Sequence, residues 1–190
     1  MNSKLILTSI FIILLSTFSV TAQTKTVEVK ADKSTLSWNG YKIAGGHTGN
    51  IKLKSGSLTF DGYVLTSGKF VLDMTSISVT DIKGANAEKL LTHLKSDDFF
   101  SVDKYEEATL VIHTASPVNE YQYVLIGDLT IKGITKPIKF EAFVKEQSAG
   151  ASIRVDRTDY NIKYGSASFF DNLGDKAIKN YFDLEVELVY

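Results

Sequence analysis

The feature that most constrains this chain is an alternation of apolar and polar residues with a period of two. Val27, Val29 and Ala31 alternate with Glu28, Lys30 and Asp32, and Leu58 and Phe60 alternate with Thr59 and Asp61. Ile138, Phe140, Ala142 and Val144 share one parity, while Lys139, Glu141 and Lys145 take the other. The C-terminal run is the strictest: Phe182, Leu184, Val186, Leu188 and Tyr190 against Asp183, Glu185 and Glu187. Successive side chains of a strand point to opposite faces, so this pattern describes antiparallel strands with one dry face and one wet face. Turn-type pairs separate the runs: Asn39-Gly40, Gly45-Gly46, Ser55-Gly56, Asp61-Gly62, Ser67-Gly68, Ser116-Pro117 and Lys132-Gly133. Strands joined so closely predict an all-β meander, in a sandwich or a barrel. Some of these glycines can instead be bulges or bends within long strands.

One segment departs from the period. Between Asn86 and Lys95, Ala87, Leu90, Leu91 and Leu94 fall at helical spacing, with Asn86 as the expected N-cap. Its single apolar stripe predicts one short helix lying against an open end of the sheet system. Asp97 and Asp98 oppose the helix dipole, so the helix is expected to stop near Ser96. Other segments are apolar on both parities, notably Tyr121 to Ile126, and Phe99-Phe100 after the helix. Two explanations stand side by side. One face packs against the helix or a second copy, or the strands line an interior cavity. A barrel of about eight strands is wide enough to hold one small ligand.

Composition removes several classes of function. A formal net charge of -1 gives no electrostatic argument for nucleic-acid binding. With no cysteine there is no disulfide scaffold, thiol nucleophile, iron–sulfur site or thiolate zinc. The first 22 residues read as a cleaved export signal: Lys4, an apolar stretch from Leu5 to Val20, then Val20-Thr21-Ala22 before Gln23. That stretch is short of the roughly 20 residues of a stable membrane span. The expected product is a single domain over residues 23–190, periplasmic or secreted.

No catalytic constellation emerges. His47, His93 and His113 lie far apart without metal-ligand spacing, so no metal site and no cofactor is expected. The pairs Asp97-Asp98 and Glu106-Glu107 are adjacent residues, which on an extended strand face opposite ways, so they read as solvated carboxylates. Gly45-Gly46-His47-Thr48-Gly49 lacks the Lys-Ser/Thr ending of a phosphate loop and reads as a hairpin. There is no GxSxG elbow. Arg154 and Arg157, the only arginines, are interleaved with Asp156 and Asp159. They read as a local ion-pair or turn network, or alternatively as partners for an anionic head group.

Taken in order, the motifs resemble the YceI-like family of exported lipid- or polyisoprenoid-binding domains. The most specific stretch is Gly127-Asp128-Leu129-Thr130-Ile131-Lys132-Gly133-Ile134-Thr135-Lys136-Pro137. Leu94-Lys95-Ser96-Asp97-Asp98-Phe99-Phe100 and Asp156-Arg157-Thr158-Asp159-Tyr160 are similar to two further family segments. Ser37-Trp38 and His47-Thr48-Gly49 match weaker positions. The chain departs at Tyr105-Glu106, where the family often has Tyr-Pro, and at Asn161, where it often has glycine. Asparagine tolerates positive φ, so the same backbone turn is expected at Asn161.

The resemblance implies an elongated, lipocalin-like, up-and-down antiparallel β-barrel, a long apolar cavity for an isoprenoid-like chain, and a homodimer. On that basis the inward parity is expected to line the cavity with Leu36, Trp38, Phe60, Phe70, Leu72, Leu110, Ile112, Leu129, Phe140 and Ile153. Phe99 and Phe100 are expected at its mouth. A buried methylene contributes roughly 0.8 kcal/mol, so a five-carbon isoprene unit yields about 3–4 kcal/mol. Micromolar affinity needs about 8 kcal/mol after an association cost of roughly 4–15. About four to six units are therefore the minimum for tight binding, which favours long polyprenyl or quinone chains. The resulting expectation is non-catalytic binding, sequestration or transport of such a lipid. The alternative is a secreted interaction module whose core is filled by its own side chains.

Overall fold

The computed structural model describes residues 23–190, so the expected export segment, 1–22, lies outside the described residues. The strands are β1 (Thr24–Glu28), β2 (Thr35–Lys42), β3 (Gly46–Asn50), β4 (Lys52–Asp61) and β5 (Val64–Asp73). After helix α1 (Ala85–Lys95) come β6 (Glu107–Pro117), β7 (Gln122–Ile131), β8 (Ile134–Val144), β9 (Ser148–Asp156) and β10 (Ile178–Val189). They form one antiparallel sheet of ten strands in the order β1-β4-β5-β6-β7-β8-β9-β10-β2-β3. From β4 to β10 each strand pairs with the next, so the expected up-and-down barrel topology is present, with ten strands rather than eight.

The sheet curls until the chain itself joins its ends. β10 pairs with β2, β2 with β3, and β3 continues into β4 after the single residue Ile51. The Ile51 N–H still donates to the Leu36 carbonyl of β2 at 3.0 Å. On the far side of the same seam, Val29 N–H donates to Gly56 O on β4 and Lys30 N–H to Val189 O on β10, both at 2.8 Å. The ladder is thinnest between β8 and β9, which pair only from Ala142 to Val144. Below that point β8 carries Pro137, which has no N–H to donate.

The inward parity follows the sequence pattern. Leu36 and Trp38, Leu125 and Leu129, Ala142 and Val144, Ile153 and Val155, and Leu188 are all buried. The paired register puts Leu184 opposite both Trp38 and Ile153, so three consecutive strands point one apolar row inward. Asn39-Gly40, Ser55-Gly56 and Ser67-Gly68 do not turn the chain: they lie inside β2, β4 and β5. At Gly56 and Gly68 the reason is space. A Cβ on Gly56 would stand 2.7 Å from the ring of Phe70. Gly49 is tighter still, since its Cβ would fall 1.7 Å from Ser78 O, the atom that accepts the Trp38 indole N–H at 3.0 Å.

The helix begins two residues earlier than an Asn86 cap predicts. Gly84, at φ 63°, occupies the cap position without any side-chain cap, and Asn86 falls in the first turn. It ends at Ser96, whose hydroxyl donates to the His93 carbonyl at 2.8 Å. Lys132-Gly133, both at positive φ, form the tight β7–β8 turn. Asn161 sits at φ 59°, ψ 27°, the left-handed turn expected of it.

The connections sort into two ends. The β2–β3 turn, α1, the β7–β8 turn and the long segment 157–177 gather at one end, which we call the helix end. The turns around Gly62-Tyr63, Val118-Tyr121 and Lys145-Gln147 gather at the other, the hairpin end.

Candidate functional site: an apolar cavity along the barrel

Two apolar compartments lie inside the sheet. The one at the helix end has a cavity volume of about 110 Å³. The second, deeper in the barrel, has a cavity volume of about 80 Å³. They share Leu72, Leu129 and Leu184 on their walls and so lie end to end. Each exceeds the space that a single water needs, and each is lined mainly by apolar side chains, as ligand pockets are.

The twelve residues expected from the sequence to line a cavity are distributed along this axis. Leu36, Phe70, Leu110, Ile112, Phe140 and Ile153 border the deep compartment, and Leu72 and Leu129 border both. Trp38, Phe99 and Phe100 border the helix-end compartment. Phe60 is placed elsewhere: it borders an open depression at the hairpin end with Tyr63, Tyr121, Tyr123 and Tyr190. Its ring tilts against Tyr190 at 5.9 Å, opposite the bulge that Thr66 makes on β5. Phe60 keeps the inward parity of Leu58, but as the next-to-last residue of β4 it stands past the cavity floor.

At the helix end an aromatic chain crosses the compartment. His93 of α1 meets Phe99 at 5.4 Å, Phe99 meets Phe100 at 5.5 Å, and Phe100 meets Phe182 at 6.3 Å. Leu90 and Leu94 of the helix stripe line the same space, together with Met74 and Ile77. The helix thus covers the barrel end with the apolar face that its spacing marks.

Under this cover lies Arg157, 2% exposed. Its Nε, Nη1 and Nη2 donate to the carbonyls of Lys179, Ile162 and Ile178 at 2.9, 2.7 and 3.2 Å. It holds no carboxylate, and burial pulls its pKa below the ordinary arginine range. Its neighbour Asp156 instead takes the N–H and hydroxyl of Thr158. Arg154 points outward and grips Asp183 with two bonds, Nε–Oδ1 2.8 Å and Nη2–Oδ2 2.9 Å. Tyr41 donates to the same carboxylate at 2.9 Å, and these bonds hold Asp183 below the usual carboxylate range. The local network expected of the two arginines with Asp156 and Asp159 is therefore not formed. The barrel register supplies Asp183 opposite Arg154, and the helix-end turn supplies the carbonyls.

The three histidines go to three places. His47 Nδ1 meets Asp81 Oδ2 at 2.9 Å, His93 meets Tyr164 edge-on at 4.4 Å, and His113 is exposed on β6. Asp97 is exposed and bonded to Lys104 at 2.7 Å. Tyr41, Lys42, His47, His93 and Lys179 also border the helix-end compartment, which residue-by-residue inspection of the sequence missed. For His93 a signal existed. It follows Leu90 by three residues and precedes Leu94, on the edge of the helix stripe.

The model of the YceI-like domain matches residues 18–190. A UPF0312 protein of Vibrio campbellii is 28% identical over 90% of this chain and 95% of its own length. A UPF0312 protein of Photorhabdus laumondii is 35% identical over 50% of this chain, a match that spans 46% of that relative. Among solved structures, BcnA of Burkholderia cenocepacia superposes with TM-score 0.71 at 20% identity, covering 85% of this chain and 99% of that one. A polyisoprenoid binding domain from Saccharophagus degradans superposes with TM-score 0.58 at 15% identity, covering 85% of this chain and 95% of that one. These likenesses establish the fold. The match across residues 18–190, on the motifs that build this barrel and its helix-end cover, establishes the kinship: this chain belongs to the YceI-like domain family.

Proposed function

We propose that the protein binds a long apolar lipid in the barrel and sequesters or carries it, without catalysis. The observation that carries this reading is the pair of end-to-end compartments walled by leucine, isoleucine and phenylalanine. A core built only for stability packs to near-crystalline density with few voids larger than a water, so two apolar cavities of about 110 and 80 Å³ lying end to end weigh against a self-filled interaction module. The ligand that suits it is a polyprenyl chain, an isoprenoid quinone or a similar amphiphile, in keeping with the polyisoprenoid binding named for one structural neighbour. Its chain would lie along Leu72, Leu129 and Leu184, the residues common to both compartments. Export to the periplasm or medium accords with residues 1–22. Exposed Val111 and Phe143, on the outer face of β6 and β8, offer apolar surface for a homodimer.

The test is mass spectrometry of protein purified from its native envelope or medium, comparing intact native spectra with an organic extract. A long isoprenoid-type species near one per chain is expected. A protein that carries nothing and takes up no added isoprenoid would sink the reading. A double variant, Phe99→Ala with Phe100→Ala, is expected to remain folded and to hold lipid at least about tenfold more weakly, from the apolar contact removed.

A further inference from the structure

The barrel wall is not stitched evenly. β7 pairs with β8 at every residue from Gln122 to Ile131, and β10 with β9 at every residue from Tyr181 to Val189. Between these two firm ladders, β8 meets β9 only at Ala142, Phe143 and Val144. The register of those pairs, continued, would set Phe140 opposite Ile153, Lys139 opposite Arg154 and Pro137 opposite Asp156, and the ladder does not extend to them.

The residues on either side account for the gap. Pro137 has no N–H to add to a ladder. Lys139 and Arg154 would bring like charges directly across from each other, which destabilises a strand pair. Arg154 is bound instead to Asp183, on the far side of β9. Even the stitched stretch of β9 is Ala149-Gly150-Ala151, whose small side chains add little cross-strand contact. A Cβ on Gly150 would meet nothing nearer than Val186 O at 3.6 Å.

Directly behind the gap lies the deep compartment, bordered by Ile138 and Phe140 of β8 and by Ala151 and Ile153 of β9. Ile138 and Phe140 face inward yet are only half-buried, whereas Leu125 and Leu129 of the firmly paired β7 are 3% and 4% exposed. The ends of the barrel are closed by comparison. Entry at the helix end would displace α1 and the rings packed over Arg157. Entry at the hairpin end would meet Tyr123, 5% exposed, and the contact of Phe60 with Tyr190.

We infer that the gap between β8 and β9 is a side door, through which the lipid chain passes between Phe140 and Ile153 into the deep compartment and leaves again. Opening the wall there breaks few ladder hydrogen bonds, so it is the stretch of the barrel with the lowest cost of local opening. A chain that enters sideways moves from one apolar surface to another and need not thread its whole length through an end. This inference rests on the lipid-binding reading above and adds to it the route of exchange.

The test bridges the gap. The chain has no cysteine, so Lys139→Cys with Arg154→Cys gives a unique pair of thiols, joined by a short reagent that a reductant cleaves. The double variant is loaded with geranylgeraniol, mixed with an excess of the deuterated alcohol, and followed by native mass spectrometry. Bridging is expected to slow exchange at least about tenfold, with the same occupancy at equilibrium, and cleavage of the bridge to restore the rate. Lys139→Glu, a surface change that replaces the like-charge pair by an attractive one, serves if the double variant does not fold. It is expected to slow exchange by about two- to fivefold, the scale of one exposed ion pair. Exchange as fast with the gap bridged as with it open, or with Lys139→Glu as in wild type, would overturn the side door and leave the lipid reading standing. Failure of wild type to take up geranylgeraniol or longer polyprenols would remove the lipid reading and this inference with it.

Discussion

The two ends of the barrel are closed by different physics. At the hairpin end, neutral groups do the work: Phe60 packs on Tyr190, the Tyr190 hydroxyl donates to the Lys145 carbonyl, and balanced lysines and glutamates ring an open depression. Tyr63 there is 97% exposed at the tip of its turn. At the helix end, a buried arginine ties three carbonyls of segment 157–179 together beneath a helix and a chain of aromatic rings. The lesson is one of separable duties. An end sealed by neutral hydrogen bonds tolerates change, whereas an end organised around a desolvated charge depends on a few groups whose loss leaves others unsatisfied.

The largest expected effect follows from removing that charge. Arg157→Met is expected to destabilise the fold by about 3 kcal/mol or more, because three buried carbonyls lose their donor. Urea denaturation read by Trp38 fluorescence measures it. A loss under about 1 kcal/mol would abolish the contrast between the ends.

A smaller effect is expected on the outer wall of the helix end, where Asp183 is held by Arg154 and Tyr41. Asp183→Asn is expected to cost about 1 kcal/mol at neutral pH, since the Arg154 side chain is largely exposed and screened. The pH dependence has a defined sign. The folded carboxyl pKa lies below its unfolded value, so its stabilisation is complete above about pH 4 and fades as pH falls through the folded pKa. Wild type should therefore lose stability on acidification more steeply than Asp183→Asn. Thermal melts from pH 6 to pH 2 check this, and parallel curves would count against it.

The smallest effect belongs to the hairpin end. Tyr190→Phe removes one neutral hydrogen bond and keeps the Phe60 contact, so a loss of about 1 kcal/mol or less is expected. Burial pushes the Tyr190 hydroxyl up to about 12, so no change in its charge complicates the comparison near neutral pH. Equal losses in Tyr190→Phe and Arg157→Met, measured in one urea series, would show both ends to be held alike.

Much of the fold was legible because strand patterning is a local property. Ile138 to Val144 and Phe182 to Tyr190 alternate strictly, and their inward parity in the barrel is the one that the alternation marks. The helix stripe and the stop at Ser96 were legible for the same reason. The cavity wall was partly legible, since inward parity names residues such as Leu129 and Ile153 without saying where along the axis they stand. Phe60 shows the limit. It has the inward parity of Leu58 yet stands at the hairpin end, because parity names a face and not a height along the barrel axis. Gly40, Gly56 and Gly68 read as turns in isolation, yet they lie within strands, and at Gly56 and Gly68 the reason is the close approach of a neighbour.

By itself, then, the sequence determined which residues face inward, that the strands run as an antiparallel meander, and that one helix interrupts them. These follow from periods of two and 3.6, which are properties of short segments. Only the tertiary structure decided the ten-stranded count, the seam at Ile51 and the partners of the two arginines. It also gathered Lys42, His47, His93, Arg157 and Lys179 around one compartment. Those five residues come from β2, β3, α1, the turn after β9 and β10, and nothing in their local patterns requires them to meet. Curling a sheet into a barrel brings distant strands to a common axis, and the chemistry of that axis exists only once the barrel has formed.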